Sequence, residues 1–262
     1  MLMSALSIAR GQNEYVELDK IDFNDTSLIE SDILWSTISD YITHEQNKDG
    51  DKKSQIYNMI LATDNVLSRC MSYPIYKSVY QFLISGFSEL GANLVVDYME
   101  RMPYLSFINA NDEQIAEIMN VASQYERVKI GKQAPDIQSV TIDNKAFALS
   151  DVREKTILVL FWSYSCPHCR ELIEDLADVK ADYEDLGIVT VNVAGDMKKV
   201  KRMLKKANFD KNYNIYDGKG WNSPIVEDYA VDMTPSMFLL DENKIIIAKP
   251  IDIEELIKFI EL

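Results

Sequence analysis

Two cysteines three residues apart, in the run Ser165-Cys166-Pro167-His168-Cys169-Arg170, are the residues of this chain best suited to carry chemistry. Sulfurs one helical turn apart can trade two electrons with a partner by opening and closing a disulfide. The thiolate is the reactive form, so the surroundings must favour an anion at the attacking sulfur. An apolar, β-type run over residues 156–162 leads into the pair, and a helical pattern with Leu172, Ile173, Leu176 and Val179 follows it. Pro167 suits the first turn of that helix, where its missing N–H removes only an orphan donor. The spacing therefore predicts Cys166 at a helix N-terminus, facing free N–H groups and the positive end of the helix dipole, a setting that lowers a thiol pKa. Cys169, one turn on and further inside, would reach back to the same sulfur and resolve a mixed disulfide.

Other chemistries fit the pair less well. A zinc site needs four ligands, and besides the pair the chain offers only Cys70, His44 and His168, so no metal is expected. Haem attachment would require a histidine after Cys169, where Arg170 stands. No flavin or nucleotide is required either; the cofactor is the protein's own Cys166–Cys169 disulfide. His168 has two readings: an imidazole that stabilises the thiolate by charge or hydrogen bonding, or an exposed side chain with no role. Cys70, at the end of an apolar helical pattern, reads as a buried structural thiol. The basic run from Lys198 to Arg202 reads as a solvated helix face.

Composition bounds the rest. The chain has 262 residues, 47% of them hydrophobic and 26% charged, which suits a soluble globular protein of two domains. Its net charge of −15 argues against nucleic acid and against an anionic membrane surface as partners. The acidity is shared, about −10 over residues 12–130 and −6 over 131–262, and so reads as solvation rather than a tail. No apolar run is long enough for an integral membrane segment. Residues 1–11 have small residues before Gln12 where a signal peptidase cuts. They read either as the end of a signal segment, implying the periplasm or cell envelope of a Gram-negative bacterium, or as a frayed cytoplasmic start.

The elements that must position the pair follow from periodicity. Residues 1–26 read as an extended lead-in. Residues 27–130 carry helical patterns interrupted near Gln46–Asp51, Pro74, Gly91, Pro103 and Asn111, and read as an all-helical domain. From 131 to 262 strands and helices alternate. Residues 140–142 and 146–149 form a hairpin candidate, and 156–162 and 188–193 two central strands. A basic helix at 197–207 and a short helix at 221–229 come next. A second hairpin at 237–240 and 245–248 precedes a terminal helix from Ile253.

Three stretches carry a family resemblance. The apolar strand, Phe161-Trp162, the cysteine pair and its helix resemble the active-site segment of the thioredoxin superfamily. Met233-Thr234-Pro235-Ser236-Met237-Phe238-Leu239-Leu240-Asp241 is similar to that family's cis-proline loop and following strand. Gly131-Lys132-Gln133-Ala134-Pro135-Asp136 through Leu149-Ser150-Asp151-Val152 resembles the N-terminal extension of the TlpA/ResA-like branch. The helical half resembles, loosely, a domain that precedes thioredoxin-like domains in some bacterial envelope proteins.

The resemblance implies an α/β thioredoxin-like fold, a mixed central sheet flanked by helices, behind an all-α N-terminal domain. It implies a thiol–disulfide oxidoreductase whose partners are protein thiols and disulfides and an upstream electron donor or acceptor. The alternative is an envelope binding or scaffold protein whose helical domain grips a partner. Pro235 would follow a cis bond and pack beside Cys166, with Thr234 offering its backbone to an incoming peptide and its hydroxyl to the thiolate. Trp162 would shape the site. Cys-Pro-His-Cys is similar to the dipeptide of DsbA-type oxidants, and a peroxiredoxin pattern is absent because Val159 and Ser163 stand where its proline and threonine belong. The chain also departs from its relatives. Leu160 replaces the buried acid of thioredoxins, Leu172 replaces a TlpA/ResA-type glutamate, and Glu174 replaces the helix-kinking proline. The proton of Cys169 would then pass to Glu171, His168 or water.

Overall fold

The computed structural model describes residues 18–46, 51–101, 110–209 and 212–261. The expectations for residues 1–17 and for Pro103 lie outside these. The chain parts between Glu126 and Arg127 into two compact units.

The first unit is helical: α1 (Asp32–Gln46), α2 (Lys52–Leu67), α3 (Tyr73–Glu89), α4 (Asn93–Arg101) and α5 (Asp112–Arg127), the last running into the boundary. Each buries one stripe, as the three- and four-residue spacing requires, with Leu34, Ile38, Val66, Ile75, Val79 and Ile118 fully inside. Local chemistry sets the starts. Asp51 accepts the Ser54 N–H to open α2, and Asn111 and Gln114 exchange side-chain-to-backbone bonds ahead of α5. Such caps contribute about 1 kcal/mol each. The lead-in differs from the extended reading. Short 3-10 turns form at Leu18–Lys20 and Thr26–Glu30, because Leu18 and Phe23 are drawn into the core.

The second unit holds a hairpin of β1 (Gln138–Val140) and β2 (Ala146–Ala148) and a five-stranded mixed sheet. That sheet comprises β3 (Thr156–Ser163), β4 (Leu186–Ala194), β5 (Tyr213–Ile215), β6 (Ser236–Leu240) and β7 (Ile246–Ala248), in the order β5-β4-β3-β6-β7. β3 runs parallel to β4 and antiparallel to β6, and β5 extends the parallel side. The helices are α6 (Pro167–Asp182), α7 (Met197–Lys206), α8 (Pro224–Asp228) and α9 (Ile253–Ile260). Only a central strand covered on both faces can be apolar throughout, and seven of the eight residues of β3 are buried. Ile157, Val159 and Phe161 pack with Tyr229 and the α8 residues Ile225 and Val226. Leu158, Leu160 and Trp162 face the other way, onto α6, α7 and α9.

The strand β5 was not foreseen in the sequence. It is three residues long and its Asn214 is buried, held by the Thr190 hydroxyl across β4 and by the carbonyls of Phe209 and Asn212. The helical reading of 221–229 resolves into a 3-10 turn, Gly220–Asn222, and the short α8, because Ser223 caps α8 afresh at the Ile225 N–H.

Candidate active site

The site forms at the rim where β3 and β4 both end. The register slips between Trp162 and Ser163, and the chain leaves the sheet with Tyr164 N–H donating to the Ala194 carbonyl at 2.9 Å. Gly195 stands against this loop at φ +135°, and a Cβ there would come within 2.5 Å of Tyr164 Cβ. A glycine is therefore required by both conformation and space. The Ser163 and Ser165 hydroxyls lie 2.7 Å apart, the Ser165 N–H donates to Ser163 Oγ, and the Cys166 N–H donates to the Ser163 carbonyl. The turn thus delivers Cys166 in one orientation.

Cys166 is the N-cap of α6, with Pro167 as its first residue. Its half-buried sulfur accepts the Cys169 N–H at 3.3 Å and stands 3.6 Å from the Thr234 carbonyl oxygen, to which the thiol donates. Both cysteines are thiols in this structure, as is the buried Cys70. The sulfur thus sits where α6 presents its first free N–H groups.

Cys169 lies in the apolar layer with Leu160, Trp162, Leu172 and Ile173. Burial pushes its thiol up to about 12, and the neighbouring Cys166 sulfur adds to the rise, while the Ser163 N–H and the Thr234 hydroxyl pull against them. Thr234 therefore bears on both sulfurs, its carbonyl accepting from the Cys166 thiol and its hydroxyl favouring the Cys169 anion. The resemblance offers the hydroxyl to the thiolate; the contact in the structure is that of the carbonyl with Cys166 Sγ, at 3.6 Å. The Thr234–Pro235 bond is cis, and the Ser236 hydroxyl donates to the Met233 carbonyl across the loop.

The remaining expected residues fall at different depths. Trp162 is fully buried beside Cys169, a wall rather than a contact surface. His168 is 85% exposed, with Nδ1 3.8 Å from Glu171 Oε2. Glu171 is itself 75% exposed, and neither it nor His168 figures among the influences on Cys169. Arg170 has a role that the motif alone does not mark. It donates to the Tyr164 carbonyl at 2.8 Å and lies over the Tyr164 ring at 5.8 Å, pinning the loop from the helix side. Its position four residues after Cys166, one turn along the helix, was the available signal.

Among the described residues, no three acids, cysteines or histidines gather at this rim as a metal would need; the one such group is Asp97, Glu100 and Glu126 in the helical unit.

Residues 129–255 match the Redoxin family model. Thioredoxin-like protein YneN of Bacillus subtilis is 31% identical over 122 residues, covering 45% of this chain and 69% of that protein. Thiol-disulfide oxidoreductase ResA of Bacillus cereus is 25% identical over 126 residues, covering 47% and 70%. A crystal structure of a thioredoxin-like protein from Bacteroides caccae superposes with a TM-score of 0.59 at 14% identity, over 93% of this chain and 88% of that one. The likeness in fold thus includes the helical half, whereas each of the two sequence relatives covers less than half of this chain.

Proposed function

Because this chain belongs to the TlpA/ResA-like branch of the thioredoxin superfamily and is a thiol–disulfide oxidoreductase, we propose that Cys166 is its exchanging sulfur and Cys169 its resolving one. In the reducing direction the Cys166 thiolate attacks one sulfur of a partner's disulfide. The S–S bond breaks, the partner's other sulfur leaves as a thiolate, and a mixed disulfide remains. Cys169 then loses its proton and attacks Cys166 Sγ, releasing the partner's second sulfur and closing the Cys166–Cys169 disulfide. The oxidising direction is the reverse, and the pair's reduction potential against its surroundings selects between them.

The observation that carries this reading is the pairing of unlike sulfurs. One is half exposed at a helix N-terminus with an N–H aimed at it; the other is buried as a thiol within reach behind it. The Thr234 carbonyl beside Cys166 is offered to a partner's backbone, and Pro167, Pro235 and the buried Trp162 fix the walls. His168, exposed at the first turn of α6, would act on the partner side. The partners are protein thiols and disulfides. An upstream electron donor or acceptor, and residence in the periplasm or cell envelope where such exchange is common, complete the proposal. Among the described residues no helix is long and apolar enough to cross a membrane. We also assign the helical segment, residues 27–130, a domain of its own.

The test is reduction or oxidation of a model disulfide protein by wild type and by Cys166→Ser, together with a redox titration of the pair. Cys166→Ser should abolish turnover. Equal rates would refute the assignment, and a potential far below the thioredoxin range would remove the oxidising direction.

A further inference from the structure

The helix α7 carries a charge pattern that packing does not explain. Its ten residues read MKKVKRMLKK, with Lys198, Lys199, Lys201, Arg202, Lys205 and Lys206 exposed and no acid among them, in a chain of net charge −15. Val200 and Leu204 alone are fully buried, so an ordinary mixed surface would have docked the helix equally well. Like charges one turn apart, such as Lys198 with Arg202 and Lys201 with Lys205, weaken a helix. Of the six α7 cations, only Lys201 has an acidic partner among the described residues, Asp143 at 3.1 Å.

The position of this face bears on Cys166. Asp196 caps α7 at the Lys199 N–H, and the preceding Gly195 lies against Tyr164, two residues before Cys166. The cationic stripe thus begins at the rim of the site and runs about 15 Å away from it. The neighbouring α6, on the same face of the sheet, exposes Glu171, Glu174, Asp175 and Asp178. The rim is dipolar, positive on the α7 side of the sulfur and negative on the α6 side.

We propose that the exposed face of α7 is the docking surface for an acidic segment of the protein that exchanges disulfides with Cys166. This rests on the reading of Cys166–Cys169 as the reacting pair, and deepens it to a class of partner. A flat anionic membrane laid on α7 would also press on the carboxylates of α6. A protein segment can follow α7 alone, and repulsion from α6 fixes which way it lies. The acidity of the chain elsewhere makes α7 the place where a negative partner is drawn in, by steering that salt abolishes.

The experiment uses two disulfide-bonded peptides, identical except for glutamate-rich or lysine-rich flanks, and the reduced full chain. The second-order rate of its oxidation is followed at low salt and at about 0.5 M NaCl. The acidic peptide should react about tenfold faster at low salt, and the advantage should collapse at high salt. The triple variant Lys198→Glu, Lys199→Glu, Arg202→Glu should reverse the preference while reacting at the wild-type rate with a small neutral disulfide. Equal rates for the two peptides, or a preference that survives charge reversal, would overturn the proposal. So would binding to phosphatidylserine vesicles that the triple variant loses while its peptide preference stays. If no disulfide reacts at all, the assignment of the cysteines is what has failed. A cysteine-free acidic peptide, measured by fluorescence anisotropy, then still decides the docking surface: tenfold weaker binding to the triple variant supports it, and unchanged binding refutes it.

Discussion

Thr234→Val removes the hydroxyl beside Cys169 and leaves the carbonyl beside Cys166, so it separates the two contacts that one residue makes. The hydroxyl helps hold down a thiol that burial pushes up to about 12. A hydrogen bond to a charged group is worth roughly 1.5–3 kcal/mol, and 1.36 kcal/mol is one pKa unit, so its loss should raise Cys169 further by about one to two units. At neutral pH that removes ten- to hundredfold of the thiolate. A more basic thiolate is a better nucleophile, with a Brønsted slope of about 0.4–0.5, and this returns nearly half of the loss. The resolving step should therefore slow by about threefold to fifteenfold.

An aromatic disulfide such as DTNB reads the two steps separately. Attack by Cys166 releases one thionitrobenzoate, and attack by Cys169 on the resulting mixed disulfide releases the second. In Thr234→Val the first release should hold within about twofold and the second should slow as calculated, with Thr234→Ser restoring it. In both proteins the second rate should climb about tenfold per pH unit through the neutral range, because the Cys169 value lies far above it. A second release unchanged by Thr234→Val, or a plateau below pH 9, would refute the argument.

Two further expectations follow from burial and backbone. Cys70 is fully buried, and burial moves its thiol from 9.0 to about 12. Native protein should thus yield two thionitrobenzoates at pH 8 and denatured protein three. Its folded value lies above its unfolded one, so its contribution to stability is complete below about pH 9 and is lost as pH rises towards 12. Wild type should lose more Tm across that window than Cys70→Ala; parallel curves would contradict this. Gly195→Ala forces a side chain into a backbone at φ +135° and onto Tyr164 Cβ. It should cost about 1–3 kcal/mol in urea denaturation and slow the first thionitrobenzoate release as well. A variant with neither effect would show that the loop does not lean on Gly195.

What could be read from the residues in order, and what could not, divides along local and non-local causes. The strand into Cys166, the proline opening the helix and the pattern of α6 are all local, and the structure has them where the sequence put them. β5 escaped because nothing near Tyr213 announces a strand. Its reason to exist is Asn214 meeting Thr190, which lies 24 positions away. The lead-in departs from an extended chain for a similar reason, since Leu18 and Phe23 turn inward only because a helical core is there to receive them. His168 stands next to the reactive sulfur in sequence, but the first turn of α6 swings its ring outward to Glu171.

The two leucines that replace expected acids show how a substitution read as a loss becomes a feature of the packing. Leu160 is fully buried between Thr190 of β4 and Met237 of β6, and Leu172 closes the same layer from α6. Together with Trp162 and Ile173 they give Cys169 an apolar floor, so among the described residues no carboxylate stands beneath the sulfur to take its proton. The groups that can favour its anion are then those above it, the Ser163 N–H and the Thr234 hydroxyl. The backbone donor is fixed by the strand, whereas the hydroxyl belongs to the loop that a partner must touch to reach Cys166. Binding and resolution therefore meet at one residue, and any change in how Thr234 is held should alter the second sulfur's reactivity before it alters the first.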